Sequence, residues 1–241
     1  MSRARLAALL ALALAAPAAR AGIEEASAVP PKHNGSFELG VGSYRPNIDS
    51  EFPTSPGPYQ QVFGSGNGWM FRAAGAWAFY SGVGSAEVGL RTGYFVASGR
   101  GLYQQPDGTW ARSGDGTSLN IVPTSATLTY RFDYLAEHRW VPLSPYARVA
   151  LERYNWWVTN GAGSWVKKGA TNGYSWALGL ALQLDWFDRD SQRDLDRETG
   201  IKHTYLFFDA TWSRIDDFGS KSSWDLSGAK TQYAGGLMFV F

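Results

Sequence analysis

The segment Tyr174-Ser-Trp-Ala-Leu-Gly-Leu-Ala-Leu-Gln-Leu-Asp-Trp186 decides how the rest of the chain is read. Tyr174, Trp176, Leu178, Leu180, Leu182, Leu184 and Trp186 are large and apolar; Ser175, Ala177, Gly179, Ala181, Gln183 and Asp185 between them are small or polar. A period of two puts the two sets on opposite faces of a β-strand. From Trp176 to Trp186 such a strand rises ~33 Å, which at a tilt of ~40° covers about 25 Å, the height of an outer-membrane apolar band. Rings at both ends with leucines between them follow the order of a strand that crosses a bilayer between two interfacial belts. The competing reading is a large soluble β-sandwich, whose strands would usually run ~5–6 residues.

Seven further segments repeat the pattern. Residues 36–44 set Phe37, Leu39 and Val41 against Glu38, Gly40 and Gly42, and residues 69–80 set Trp69, Phe71, Ala73, Trp77 and Phe79 against Met70, Arg72, Ala74, Ala76 and Ala78. Residues 86–97, 120–134 and 143–157 follow, the last less regular, and after the opening strand come 202–212 and a final strand ending at Phe241. Long polar connections (45–67, 98–118, 158–172 and 213–228) follow the odd-numbered strands, and mostly shorter ones (81–85, 135–142) follow the even ones. An even strand count with long loops at one end is the plan of a bacterial outer-membrane barrel, and closure removes the exposed strand edges. The expected fold is all-β, an eight-stranded antiparallel transmembrane up-and-down β-barrel over residues 35–241. A hairpin hidden in 45–67 would raise the count to ten.

Ahead of the barrel, residues 1–21 read as a signal peptide: Arg3 and Arg5, an apolar run from Leu6 to Ala16, and Ala19-Arg20-Ala21 as a cleavage site. That run is too short for a membrane-spanning helix, and no Cys follows it to carry a lipid anchor. Residues 22–34, with Pro30-Pro31, read as a periplasmic leader. The signal holds three of the 22 Lys and Arg, which leaves 19 cations against 21 carboxylates and a formal charge of −2. That balance argues against nucleic acid as a partner. Zero Cys excludes a disulfide framework. Eleven Trp, 12 Tyr and 13 Phe beside 28 Gly suit aromatic belts outside and small residues facing a lumen.

Two motifs carry a family resemblance. The chain ends Tyr233-Ala-Gly-Gly-Leu237-Met-Phe239-Val-Phe241, similar to the C-terminal signal by which the outer-membrane assembly machinery recognises its substrates. Val122-Pro-Thr-Ser-Ala-Thr-Leu-Thr-Tyr-Arg-Phe132, followed by Leu143-Ser-Pro-Tyr146, resembles the middle of the outer-membrane protein W family. Uncharacterised barrels of myxobacterial type look closer still, through the connection ending in Gly200-Ile-Lys-His-Thr-Tyr-Leu206. The resemblance implies a location in the outer membrane, with its lipid and lipopolysaccharide as surroundings. After Pro-Tyr that family has a small-residue Gly-x-Gly strand, where this chain has Arg148, Ala150 and Glu152, so its hydrophobic substrate channel is not carried over.

Parity assigns Glu38, Arg72, Glu87, Arg91, Arg131, Asp133, Arg148, Glu152, Asp185, Asp209 and Lys230 to the lumen. Five cations and six anions inside an eight-stranded barrel, whose interior side chains just fill, are expected to pair into a polar plug. The functional alternative is a gated ion path in which pairs exchange partners. The acidic connection Asp188, Asp190, Asp194, Asp196 and Glu198 alternates with Arg189, Arg193 and Arg197 and lacks the glycine of a calcium loop. It reads as a salt-bridged solvated helix, capped by Asp188 or Ser191 and ended by Gly200.

Rings on the connections (Phe52, Tyr59, Phe63, Tyr103, Trp110, Trp165, Phe218 and Trp224) are candidates for contact with glycans; the alternative is that they form an upper belt or pack the connections together. His33, His138 and His203 all fall at the end away from the long connections, and His203 beside Asp185 lacks a nearby nucleophile. No enzyme, cofactor or metal is therefore expected. The expected function is a narrow or plugged channel or a structural barrel of the envelope. A surface recognition barrel is the alternative and a lipid-modifying enzyme a third.

Overall fold

The computed structural model describes residues 34–53, 55–107, 110–138, 141–186, 196–220 and 223–241. The expected signal peptide and most of the leader lie outside these residues, as do 187–195 of the acidic connection.

Eight strands form in chain order: β1 (Gly35–Tyr44), β2 (Gly68–Ser81), β3 (Ser85–Gln104), β4 (Trp110–Arg131), β5 (Leu143–Asn160), β6 (Trp165–Gln183), β7 (His203–Arg214) and β8 (Gln232–Val240). Each pairs antiparallel with its neighbours, and β1 closes on β8 with Phe37 opposite Phe239 and Leu39 opposite Leu237. The fold is an eight-stranded up-and-down transmembrane β-barrel. The stretch that suggested it keeps its predicted parity: Ser175, Ala177 and Ala181 are buried, while Trp176, Leu178 and Leu180 are exposed on the outer wall.

That wall explains why the fold needs lipid. Leu90 is 69% exposed, and Leu39, Phe71, Trp77, Leu128, Val149, Leu151, Phe208 and Leu237 are also exposed. Apolar surface of that extent is foreign to a soluble monomer, and it alternates with an inward set that includes buried Ser, Thr, Glu and Arg. Inside-out burial of this kind excludes the sandwich.

The structure corrects several boundaries. Of residues 98–118, expected as a loop, 98–104 continue β3 and 110–118 continue β4, with Ser98 opposite Ser118 and Tyr103 opposite Ala111. Residues 158–172 likewise continue β5 and β6 around a tight turn. There Gly163 takes a φ of +75°, and the Asn160 N–H donates to the Ser164 carbonyl at 3.1 Å. Above the bilayer both strand faces meet water, so the ladder persists where alternation has stopped.

The other strand ends move less. β4 stops at Arg131 and β6 at Gln183, so Tyr134 falls in a short helix, α2 (Tyr134–His138), and Leu184 to Trp186 in a turn. Among the described residues the first connection holds a 3₁₀ turn (Ile48–Glu51) and helix α1 (Pro58–Phe63) and no hairpin, and the barrel closes with eight strands, not ten. Of the acidic connection, residues 196–199 are helical and Gly200, at a φ of +75°, ends the helix.

Candidate functional site: a filled lumen

The lumen is built in three layers. Nearest the short turns, Arg131 is 1% exposed and lies between two carboxylates, Glu87 at 3.0 Å and Asp133 at 2.8 Å. Each carboxylate has a hydroxyl as well: Ser36 donates to Glu87 at 2.5 Å and Ser85 to Asp133 at 2.7 Å. The guanidinium also stands 5.6 Å from the Tyr205 ring centre and reaches Met238 Sδ at 3.3 Å. Tyr146, Ala181, Tyr205, Phe207, Met238 and Val240 pack as an apolar cluster around this end. Gly179 leaves room for Tyr146, whose ring occupies the space a Cβ there would need.

The middle layer centres on Arg148. It pairs with Glu38, approaches Asp209 at 3.9 Å and donates to Thr129 at 3.0 Å. Asp209 accepts from Tyr146 at 3.2 Å and from Thr211 at 3.2 Å. One level higher, Arg91 meets Glu152 at 2.6 Å, and Ser125 and Ser175 complete that carboxylate's bonds. Arg72 donates to Gln232 at 2.7 Å. Four arginines and five carboxylates, from six strands and the turn after β4, thus share a space just wide enough for their side chains, with Arg72 bonded to Gln232 and the other three in ion pairs. The cavity they leave, against Glu38, Arg72, Arg91, Arg148 and Asp209, is about 10 Å³, room for about one water.

Above the charges the filling turns apolar. Tyr44, Met70, Phe95, Leu119, Ile121, Tyr154 and Trp156 project inward from the strands, and Ile48, Tyr59, Ile215 and Leu226 fold in from the first and last long connections. Tyr44 meets Phe95 edge-on at 4.9 Å and donates its hydroxyl to the Leu226 carbonyl at 2.6 Å. Trp224 stacks on Trp156 at 4.2 Å. Burial pushes the Tyr59 phenol up to about 12, with Arg45 opposing.

The two connections are latched to each other. Asn47 donates to Asp225 at 2.7 Å, the Asp225 N–H donates to Glu51 at 2.8 Å, and Pro46 bridges Gly228. Asp49 orders the inner end of α1 by accepting from the Tyr59 N–H at 2.7 Å and holds Arg45 at 3.0 Å.

The sequence placed nine of its eleven lumen charges on the inner wall, where they form the network above. The other two are corrected. Asp185 sits in the turn after β6, where it accepts from the Thr204 N–H at 3.1 Å and lies 3.0 Å from His203 Nδ1. Lys230 precedes β8 and is exposed, because the parity of the last strand does not extend past Gln232. Tyr59, Phe63 and Trp224 face the interior, where they pack the connections together, whereas Phe52, Tyr103, Trp165 and Phe218 are exposed; the Trp110 side chain lies outside the described residues. The signal available for the apolar filling was the inward run Tyr44, Met70, Phe95, Leu119, Ile121 and Tyr154, apolar where lumen positions are polar lower down. Of the expected assembly signal, Tyr233 and Leu237 are exposed on the outer wall, Phe239 is half-buried opposite Phe37, and Phe241 donates its N–H to the Gly35 carbonyl at 3.0 Å.

Closed strands, an apolar exterior and a filled interior define the class as a small barrel of outer-membrane type. No family model matches the chain, and no curated protein matches it. The resemblance to the outer-membrane protein W family rests on the quoted motifs alone. Among solved structures the chain is similar to Ail, the attachment invasion locus protein of Yersinia pestis, in complex with the heparin analogue sucrose octasulfate. The TM-score is 0.40 and the identity 9%, over 86% of this chain and 99% of that one.

Proposed function

We propose that this protein is a closed, non-conducting barrel of the outer membrane, held in its lipid by the apolar wall and serving the envelope as a structural element. The observation that carries the reading is the filling of the lumen: ion pairs around a cavity of about 10 Å³, then an apolar plug latched from above. Support for the membrane comes from the order of the outward side chains, with Trp69, Tyr94, Tyr174 and Trp176 toward the long hairpins, leucines between, and Trp77, Phe79 and Tyr130 toward the short turns. The test is single-channel recording of the refolded protein in a planar bilayer at two salt concentrations. A silent bilayer is expected from the wild type and from Arg91→Ala alike, since the apolar plug remains; discrete steps from the wild type would overturn the reading.

One observation favours a second reading, surface recognition. The hairpins β3–β4 and β5–β6 stand above the apolar band and expose Tyr103, Trp165 and Val166 near their tips. Replacing these three by Ser leaves the barrel intact and, on that reading, abolishes attachment of protein-bearing vesicles to glycan-coated surfaces. Unchanged attachment would remove it.

A further inference from the structure

The outward residues of β6, β7 and β8 form a lattice in which Leu178, Ala210 and Tyr233 lie side by side in one rung and Leu180, Phe208 and Gly235 in the next. Every neighbour of Ala210 on this face is large: Leu178 and Tyr233 across the ladders, Phe208 and Trp212 along its own strand. Its methyl group therefore leaves a hole. Gly235 makes room for the Phe208 ring beside it, since a Cβ there would stand 3.0 Å from that ring. The result is an open groove of about 380 Å³ in the outer wall, lined by Leu178, Leu180, Phe208, Ala210 and Tyr233.

The groove is roofed by rings and then by cations. Trp212 stacks on Trp176 at 4.1 Å directly above it. The next outward residue of β7, Arg214, is exposed and holds Asp216 at 2.8 Å. Lys230 is exposed on the segment that Ser213 ties down, accepting from the Gly228 N–H at 3.0 Å and from Gln232 at 2.7 Å. Among the described residues no carboxylate lies within ion-pair distance of Lys230. Arg214 and Lys230 thus stand at the level where headgroups meet the wall, with Asp216 held by Arg214 and Asp217 by Asn172.

We infer that this strip binds one acylated lipid of the surrounding leaflet through a phosphate on its headgroup, with an acyl chain in the Ala210 groove and the phosphate between Lys230 and Arg214. The inference rests on the membrane reading above, in which the leaflet on the side of the long hairpins is the glycolipid leaflet. The shape favours a lipid over a second copy of the chain. The hollow is one side chain wide and walled by protruding Phe208 and Tyr233, whereas a stable dimer buries about 800 Å² on each partner.

The test is native mass spectrometry of the refolded protein, released from micelles doped either with diphosphoryl lipid A or with an uncharged galactolipid of the same chain length. Folding is checked first by heat-modifiable mobility, and insertion by flotation with vesicles. The wild type is expected to retain one lipid A and little galactolipid. Ala210→Trp fills the groove from the lipid side without touching the interior, so it folds and loses the bound lipid. Lys230→Gln weakens retention about fivefold, as one interfacial cation warrants. Equal retention of the uncharged lipid, or undiminished retention by Ala210→Trp, would overturn the inference while leaving the membrane reading in place. A protein dimer abolished by Ala210→Trp would assign the groove to a second copy instead. Failure of the folded wild type to float with vesicles would strike the membrane reading itself, and this inference with it.

Discussion

The lumen is filled with two different materials, and they come from different parts of the chain. Below the level of Arg72 the filling is an ion-pair network set against the apolar cluster at the turn end, and it comes almost wholly from strand residues, each placed by the pairing of its own ladder: Ser125 opposite Glu152, Thr129 opposite Arg148. Above that level it is apolar, and about a third of it is brought in by connections that fold back over the mouth. The ionic part is rigidly specified, since its groups cannot move without leaving a buried charge unpaired. The apolar part is held by non-directional packing and a latch of hydrogen bonds, so it can loosen while the ladder stays closed. One region guards the fold, the other the entrance.

The largest expected effect falls in the ionic region. Arg131→Ala strands Glu87 and Asp133 without their cation, and loss of one partner from such a buried group costs about 3–5 kcal/mol. Urea unfolding in vesicles should show the whole barrel weakened, and adding Glu87→Gln and Asp133→Asn to Arg131→Ala should restore part of the loss. A change within 1 kcal/mol would mean the network is solvated and the lumen wet, and would collapse the distinction between the two regions.

A smaller effect, local rather than global, is expected from the plug. Leu226→Ala removes a fully buried side chain that packs with Tyr44 and Ile215, a change that costs about 2–3 kcal/mol where the site can partly collapse. The cost should appear as protease cleavage within 213–231 at a urea concentration where the barrel still migrates as folded. Cleavage that tracks global unfolding would show instead that mouth and barrel form one cooperative unit.

The same contrast explains what could be read in advance. In the bilayer each strand residue has one of two fates, and from Tyr174 to Leu182 the sequence alternates without a break; parity alone therefore put Glu38, Arg91, Arg148 and Glu152 inside. Where the strands leave the bilayer the two fates converge. Ser98 and Ser118 pair across β3 and β4 with water on either side, and nothing in Ser, Gly, Thr and Asp distinguishes such a ladder from a loop. Lys230 lies ahead of β8, where strand parity no longer sets the side a residue takes. For Tyr59 and Trp224 the sequence leaves exposure and packing both open. Their burial depends on where two connections meet in space, and a ring on a polar connection carries no mark of that.

The smallest effect tests the latch through pH. Burial, and then the negative charge of Asp225, raise the Glu51 carboxyl above its ordinary 4.5, although the Asp225 N–H donated to it pulls the other way. A carboxyl raised on folding binds its proton more tightly in the folded mouth than in the unfolded chain. Its contribution is therefore complete below about pH 4.5 and is lost as pH rises through the raised value. Glu51→Gln keeps an acceptor for the Asp225 N–H and removes the repulsion, so at pH 7 the variant should hold the latch more firmly than the wild type. The side chain is solvent-exposed, and screening limits the gain to under about 0.5 kcal/mol. Hydrogen exchange of the Asp225 amide suits a difference of that size: slower in Glu51→Gln at neutral pH, equal in the two proteins once both are neutral at residue 51. Faster exchange in the variant at pH 7 would show that the ionised carboxylate holds the amide more strongly than its neighbour repels it, and the latch would then loosen, not tighten, as the medium turns acid.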